Sequence, residues 1–112
     1  MNISQQLLDT NVMLVKLEGR LDAKSSTDVR ATLQELLDNN HLKIIVDLDN
    51  VPFIDSSGLA ALVSGLRLAR AKGGIIALSG AQSQAQIVFR LTMLDRVFPI
   101  HPTYQEAEQS LI

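Results

Sequence analysis

Cysteine is absent from this 112-residue chain, which excludes disulfides, thiolate metal sites and thiol nucleophiles. Aromatic residues are few (Phe53, Phe89, Phe98 and Tyr104), so Leu, Ile, Val and Ala must supply most of any core. Six glycines and three prolines are too few for a disordered or low-complexity chain. No charge of one sign dominates: ten Lys and Arg face twelve Asp and Glu, interspersed, for a net charge of −2. Nucleic-acid binding needs a basic stripe that exchanges for phosphate counterions, and none is present, so no nucleic-acid partner is expected. Only two histidines occur, His41 and His101, far apart in sequence, so no metal and no cofactor is expected. No apolar run approaches the roughly 20 residues that span a bilayer, so no membrane partner is expected. The N-terminal residues Met1 to Gln6 lack the basic start and apolar stretch of a secretory signal. A cytoplasmic location follows as the expectation.

What is present is the composition of an ordinary globule, 46% hydrophobic and 20% charged. Residues 1–112 fit one domain, which should bury about two thirds of the surface of its unfolded chain.

Ile3 to Leu8 reads as an edge strand followed by Asp9-Thr10-Asn11 turn chemistry. Val12 to Glu18 puts Met13, Val15 and Leu17 on one strand face, with Lys16 and Glu18 wetting the other. Gly19 breaks the pattern, and Ser25 and Ser26 are both candidate N-caps for a helix. Val29, Leu33, Leu36 and Leu37 form its apolar stripe, and Asn39-Asn40 ends it. Lys43-Ile44-Ile45-Val46-Asp47-Leu48 is a β-branched run of the kind buried on both faces of a sheet. After a turn from Asp49 to Phe53, Leu59, Leu62, Val63 and Leu66 repeat at helical spacing until Gly73-Gly74. Ile75 to Leu78 is a second buried strand, so strand, helix and strand make a βαβ unit with parallel strands.

The C-terminal third repeats that logic. Ser83 and Gln86 have capping-box spacing, with Ile87, Leu91 and Leu94 following on one face of a helix, taken as its inner one. Val97 to Ile100 reads as a short strand, and Thr103 with Glu106 caps a last helix whose inner face is Tyr104, Ala107 and Leu111. The fold class is α/β: one mixed sheet of about five strands, with helices mainly on one face.

Asp55-Ser56-Ser57-Gly58 sits where a buried strand hands over to a helix. Taken as chemistry alone, Asp or Ser there caps exposed amides and Gly58 lets the turn pass close to its neighbours. The position also points helix amides into the crevice where α/β proteins bind ligands, and a phosphate there meets orphan N–H groups and a favourable dipole.

The octapeptide Asp55-Ser56-Ser57-Gly58-Leu59-Ala60-Ala61-Leu62, preceded by Ile45-Val46-Asp47-Leu48, resembles the signature of the STAS family, in particular its anti-sigma factor antagonists. Gly19-Arg20-Leu21-Asp22 resembles the family's Gly-x-Leu-Asp turn. Gly73 to Leu78, Val97 to Ile100 and Glu106-Ala107 extend the resemblance over nearly the whole chain; Leu94-Asp95 departs from the Gly-Leu pair of many members. The resemblance implies a protein that binds an anti-sigma factor which is also a serine protein kinase, releasing a sigma factor. It implies phosphorylation on the second Ser, Ser57, and reversal by a serine phosphatase. The partner-binding surface would comprise Asp22, Asp55, Ser56, Ser57, Gly58 and Leu59. A STAS scaffold or regulatory subunit of a transporter or stress-signalling complex, without a sigma-factor output, is the alternative.

The remaining residues have two readings each. Asp22 either caps its turn or joins the partner-facing surface. Ser56 is expected to be partly buried or capping. Arg67, Arg70 and Lys72 are either a solvated helix face or a rim for an acidic partner. An enzyme is not expected. Ser57 has no recognisable base, the Gly-x-Ser-x-Gly elbow is missing, and no Gly-rich phosphate loop occurs.

Overall fold

Hydrophobic alternation builds the sheet, and the strand order dictates where the helices go. A computed structural model describes residues Met1–Ile112. Its strands are β1 (Asn2–Leu7), β2 (Met13–Glu18), β3 (Lys43–Asn50), β4 (Ile75–Ser79) and β5 (Ile100–His101), lying side by side in chain order. The β1–β2 pair is antiparallel, and every later pair is parallel. Helices α1 (Ser26–Asp38), α2 (Ser56–Ala71) and α3 (Ser83–Leu91) make the three crossovers, and α4 (Tyr104–Leu111) follows β5. Right-handed crossovers that step always in one direction must all lie on the same side of a sheet. So α1, α2 and α3 share one face, and α4 folds back onto the other.

Two cores result. Val15, Val46 and Leu78 stand in register beneath α1, α2 and α3, joined by Val29, Leu33, Leu37, Leu62, Leu66 and Phe89. Their neighbours Leu14, Ile45 and Ala77 point the other way, where Ala107 and Leu111 of α4 cover them with Val12. Each large aliphatic side chain buried this way contributes about 1.5–3 kcal/mol. The next row on the α4 side is polar: Lys16, Asp47 and Ser79 lie in register, and His101 pairs with Ser79. Asp47 is buried among them; its Oδ1 accepts from the Ser79 hydroxyl at 3.1 Å and the Asp49 amide at 3.3 Å. Burial pushes its carboxyl above the usual carboxylate range; the Asp49 amide pulls back down, the Asp49 charge adds to the rise, and Ser79 and Lys16 lower it.

Most expected elements are present, with four local differences. Ser25 stands before α1 in helical backbone conformation and caps nothing; its hydroxyl donates to the Arg20 carbonyl at 2.8 Å and accepts from the Asp22 amide at 3.0 Å. The Ser83–Gln86 capping box does not form: Gln82 occupies the cap position, and Gln86 donates its side-chain amide to the Ala81 carbonyl. On α3 the buried residues are Ala85 and Phe89, while Ile87 and Leu91 face solvent. The last strand is shorter than expected. The Val97 and Phe98 amides turn back onto the Leu94 carbonyl at 3.0 and 2.9 Å, completing a 3-10 turn (Leu94–Arg96) instead of joining the sheet. Thr103, by contrast, caps α4 as its spacing suggests, accepting from the Glu106 amide at 3.2 Å. No helix is long and apolar enough to cross a membrane.

Candidate functional site

Beyond β3 the chain runs through Val51 to Asp55 before α2 begins, and the turn after β2 and helix α3 pin this segment. Val51 and Ile54 are buried at its two ends. Leu21, in the Gly19-Arg20-Leu21-Asp22 turn after β2, pairs with Ile54 as an isolated parallel bridge. The Leu21 amide donates to the Phe53 carbonyl at 2.9 Å, and the Asp55 amide donates to the Leu21 carbonyl at 3.2 Å. From the other side, the Gln84 side chain on α3 bonds both backbone groups of Ile54 at 2.9 Å.

The pinned segment sets the start of α2. Asp55 is extended (φ −103°, ψ −174°) and its Oδ1 accepts from the Gly58 amide at 2.9 Å, the bond of a helix N-cap. The Asp55 carbonyl takes the Leu59 amide at 2.9 Å as the first helical bond. This leaves the amides of Ser56 and Ser57 with no acceptor in the chain, and both serine hydroxyls without a partner. Ser57 is half-buried. Ser56 is fully on the surface, contrary to the expectation that it would be partly buried or capping, because Asp55 already fills the capping role. Gly58 is buried against the Leu21 backbone: a Cβ there would collide with the Leu21 carbonyl oxygen and lie 2.7 Å from Leu21 Cγ. The Gly-x-Leu-Asp turn and the Asp-Ser-Ser-Gly turn are therefore two halves of one structure.

Asp22 lies one residue beyond Leu21. Its Oδ1 accepts from the Lys24 amide at 3.0 Å and the Ser25 amide at 3.3 Å, so it does close its own turn. Its other oxygen lies 3.8 Å from Arg20 Nε, and the Arg20 guanidinium stacks 4.2 Å from the centre of the Phe53 ring. Arg20 and Phe53 were not singled out by the sequence; they are 33 positions apart, and only the Leu21–Ile54 pairing brings them together. Gln84 was missed for the same reason.

From Ser56 a shallow groove of about 680 Å3 runs along α2, lined by Leu59, Ala60, Val63, Ser64, Arg67 and Leu68 and bordered by Arg30 of α1. Leu59 and Val63 are half-buried, so the fully buried side of α2 is Ala61, Leu62, Gly65, Leu66 and Ala69. Arg67 is exposed at the groove, Arg70 donates to the Val97 carbonyl at 3.3 Å, and Lys72 pairs with Asp38 at 3.1 Å. The three cations thus do separate things. His41 follows α1 and His101 lies in β5; no group of three His, Cys, Asp or Glu is arranged to hold a metal ion.

This arrangement can do two things chemically. It presents a serine hydroxyl that can act as a nucleophile toward an electrophilic group brought by a partner, and it offers two free amides and a helix dipole to any anion attached there.

The sequence model of the STAS domain matches residues 7–107. An anti-sigma F factor antagonist of Paenibacillus polymyxa is 32% identical over 101 residues, covering 89% of this chain and 84% of that protein. An anti-sigma factor antagonist from Mycobacterium paratuberculosis has a solved structure that superposes with a TM-score of 0.88 at 21% identity, covering 98% of this chain and 92% of the other. SpoIIAA, an anti-sigma factor antagonist and Bacillus cell fate determinant, is similar in fold at 20% identity. Its phosphorylated form covers 99% of this chain and 100% of its own at TM-score 0.79, and its unphosphorylated form 97% and 96% at 0.75.

Proposed function

The chain belongs to the STAS domain family as an anti-sigma factor antagonist, and on that premise we propose that Ser57 is the residue whose phosphorylation switches it. Unphosphorylated, it binds an anti-sigma factor and so frees a sigma factor. The anti-sigma factor is itself a serine kinase that phosphorylates Ser57, and a serine phosphatase restores the hydroxyl. The docking face is formed by Asp22, Asp55, Ser56, Ser57, Gly58 and Leu59, within residues 1–112 acting as one STAS domain in the cytoplasm.

One observation carries this reading: Ser57 stands two residues after the cap of α2, half-buried, with its hydroxyl unpartnered and with its own amide and that of Ser56 unused. Phosphorylation there adds about −1.5 to −2 charges and three acceptor oxygens. The two free amides and the helix dipole can receive them, so the fold persists while the surface changes. SpoIIAA has been solved in both forms, and each superposes on this chain, which supports a fold that tolerates both states. Asp55 is already committed to the Gly58 amide, and its charge adds to that of the phosphate. A partner packed on Ser57 would then have to desolvate a dianion beside a carboxylate. Ser57 acts as substrate and not as catalyst, since the base for phosphoryl transfer comes from the kinase.

The test is incubation with the serine kinase and ATP followed by peptide mass spectrometry. One phosphate on Ser57, retained in Ser56→Ala and lost in Ser57→Ala, is expected. Phosphate on Ser56 or elsewhere, or none at all, overturns the assignment.

A further inference from the structure

Surface helices usually carry charge on the side turned to water. Here α1 does so with Asp28, Arg30, Glu35 and Asp38, whereas α2 has no charged residue from Ser56 to Leu66. Its outward side is instead exposed Ser56 and Ala60 and half-buried Ser64, one small residue per turn, flanked by half-buried Leu59, Val63 and Leu68. The groove over these residues is lined by only two charged groups, Arg30 and Arg67. Both are exposed, both are positive, and neither belongs to an ion pair. The groove begins at Ser56, so it is continuous with the proposed switch.

We infer that this groove seats an acidic amphipathic helix of the anti-sigma factor, with apolar side chains on Leu59, Val63 and Leu68 and carboxylates at Arg30 and Arg67. The inference rests on the docking face proposed above and names the partner element that it receives. Small side chains at one-turn spacing let a second helix axis come close, and the half-buried aliphatics give its apolar ridge something to cover. Two unpaired arginines favour carboxylates over amines at the borders of the contact. A phosphate on Ser57 would bring negative charge to the mouth of the same groove, where the incoming helix is acidic. Occupation and phosphorylation then exclude each other by like-charge repulsion.

The test is calorimetric titration of the full chain with the anti-sigma factor kinase, using Ala60→Trp, which fills the exposed groove, and the double variant Arg30→Glu/Arg67→Glu. Affinity should fall about thirtyfold or more for Ala60→Trp and about tenfold or more for the double variant, with Arg30→Lys/Arg67→Lys retaining most of it. Affinities of Ala60→Trp and the double glutamate variant both within about threefold of the unsubstituted chain overturn the groove while leaving the Ser57 reading standing. No binding of the unsubstituted chain overturns both. Sedimentation of the chain alone gives the remaining outcome: a dimer that Ala60→Trp dissociates assigns the groove to a second copy and contradicts the inference. Thermal melts identify any variant that does not fold, and the double variant, confined to two exposed side chains, then decides alone.

Discussion

Gln84 and Ile54 exchange two hydrogen bonds: the Gln84 oxygen accepts from the Ile54 amide, and the Gln84 amide donates to the Ile54 carbonyl, both at 2.9 Å. The side chain behaves as a one-residue strand. On its other flank Ile54 pairs with Leu21, so the residue preceding the α2 cap is held from both sides. Gln84→Leu leaves two polar groups of a buried residue without partners, which costs about 1–3 kcal/mol for each. Urea denaturation should show a lower midpoint at unchanged slope.

Gly58→Ala separates two opposing expectations. Helix propensity alone favours Ala by about 1 kcal/mol. Contact with the Leu21 carbonyl opposes it, because a backbone oxygen cannot swing aside as the tip of a side chain can. The clash should win, with a loss of about 2–3 kcal/mol and a drop in Tm of about 10 °C or more. A Tm equal to or above that of the parent chain would contradict the packing described for the two turns.

The buried Asp47 makes stability depend on pH. Because burial raises its folded pKa, the native state holds this proton more tightly than the unfolded chain does. Its contribution is full below the unfolded value of about 4 and is lost as pH rises from there through the folded value. Asp47→Asn keeps an oxygen for the Ser79 hydroxyl and the Asp49 amide but carries no charge. It should therefore be more stable than the parent at pH 7, with the difference vanishing near about pH 3. Chemical denaturation across that range checks the sign.

On α3, Phe89 is 1% exposed and Leu91 is 78% exposed. Phe89→Ala should cost about 3–5 kcal/mol, and Leu91→Ser should stay within about 0.5 kcal/mol. Comparable losses at both positions would restore the inner face that spacing alone suggests.

That helix shows where the sequence stops being legible. The stripe of α1 was readable because Val29, Leu33, Leu36 and Leu37 have no large apolar rivals on the opposite side, where the one apolar residue is Ala31. In α3 the apolar residues Ala85, Ile87, Val88, Phe89 and Leu91 nearly encircle the axis, so periodicity does not choose a face. The strand from Lys43 was plain from its β-branched Ile44-Ile45-Val46, whereas the carboxylate of Asp47 gave no sign that it would be buried. At the site, Asp55 to Gly58 was legible as a turn between strand and helix, and the choice of Ser57 came from family resemblance. The Arg20–Phe53 stack, the Gln84–Ile54 pair and the placement of Arg30 beside α2 were not legible, since each joins residues more than 25 positions apart.

A phosphate on Ser57 should change what the surface binds without changing the fold. The most direct test is the affinity of the anti-sigma factor kinase for the chain before and after phosphorylation of Ser57, measured by calorimetry under one set of conditions. A loss of about 3–4 kcal/mol, or two to three orders of magnitude in Kd, is expected, with the thermal melt of the phosphorylated chain still cooperative. Equal affinities for the two forms would contradict the account.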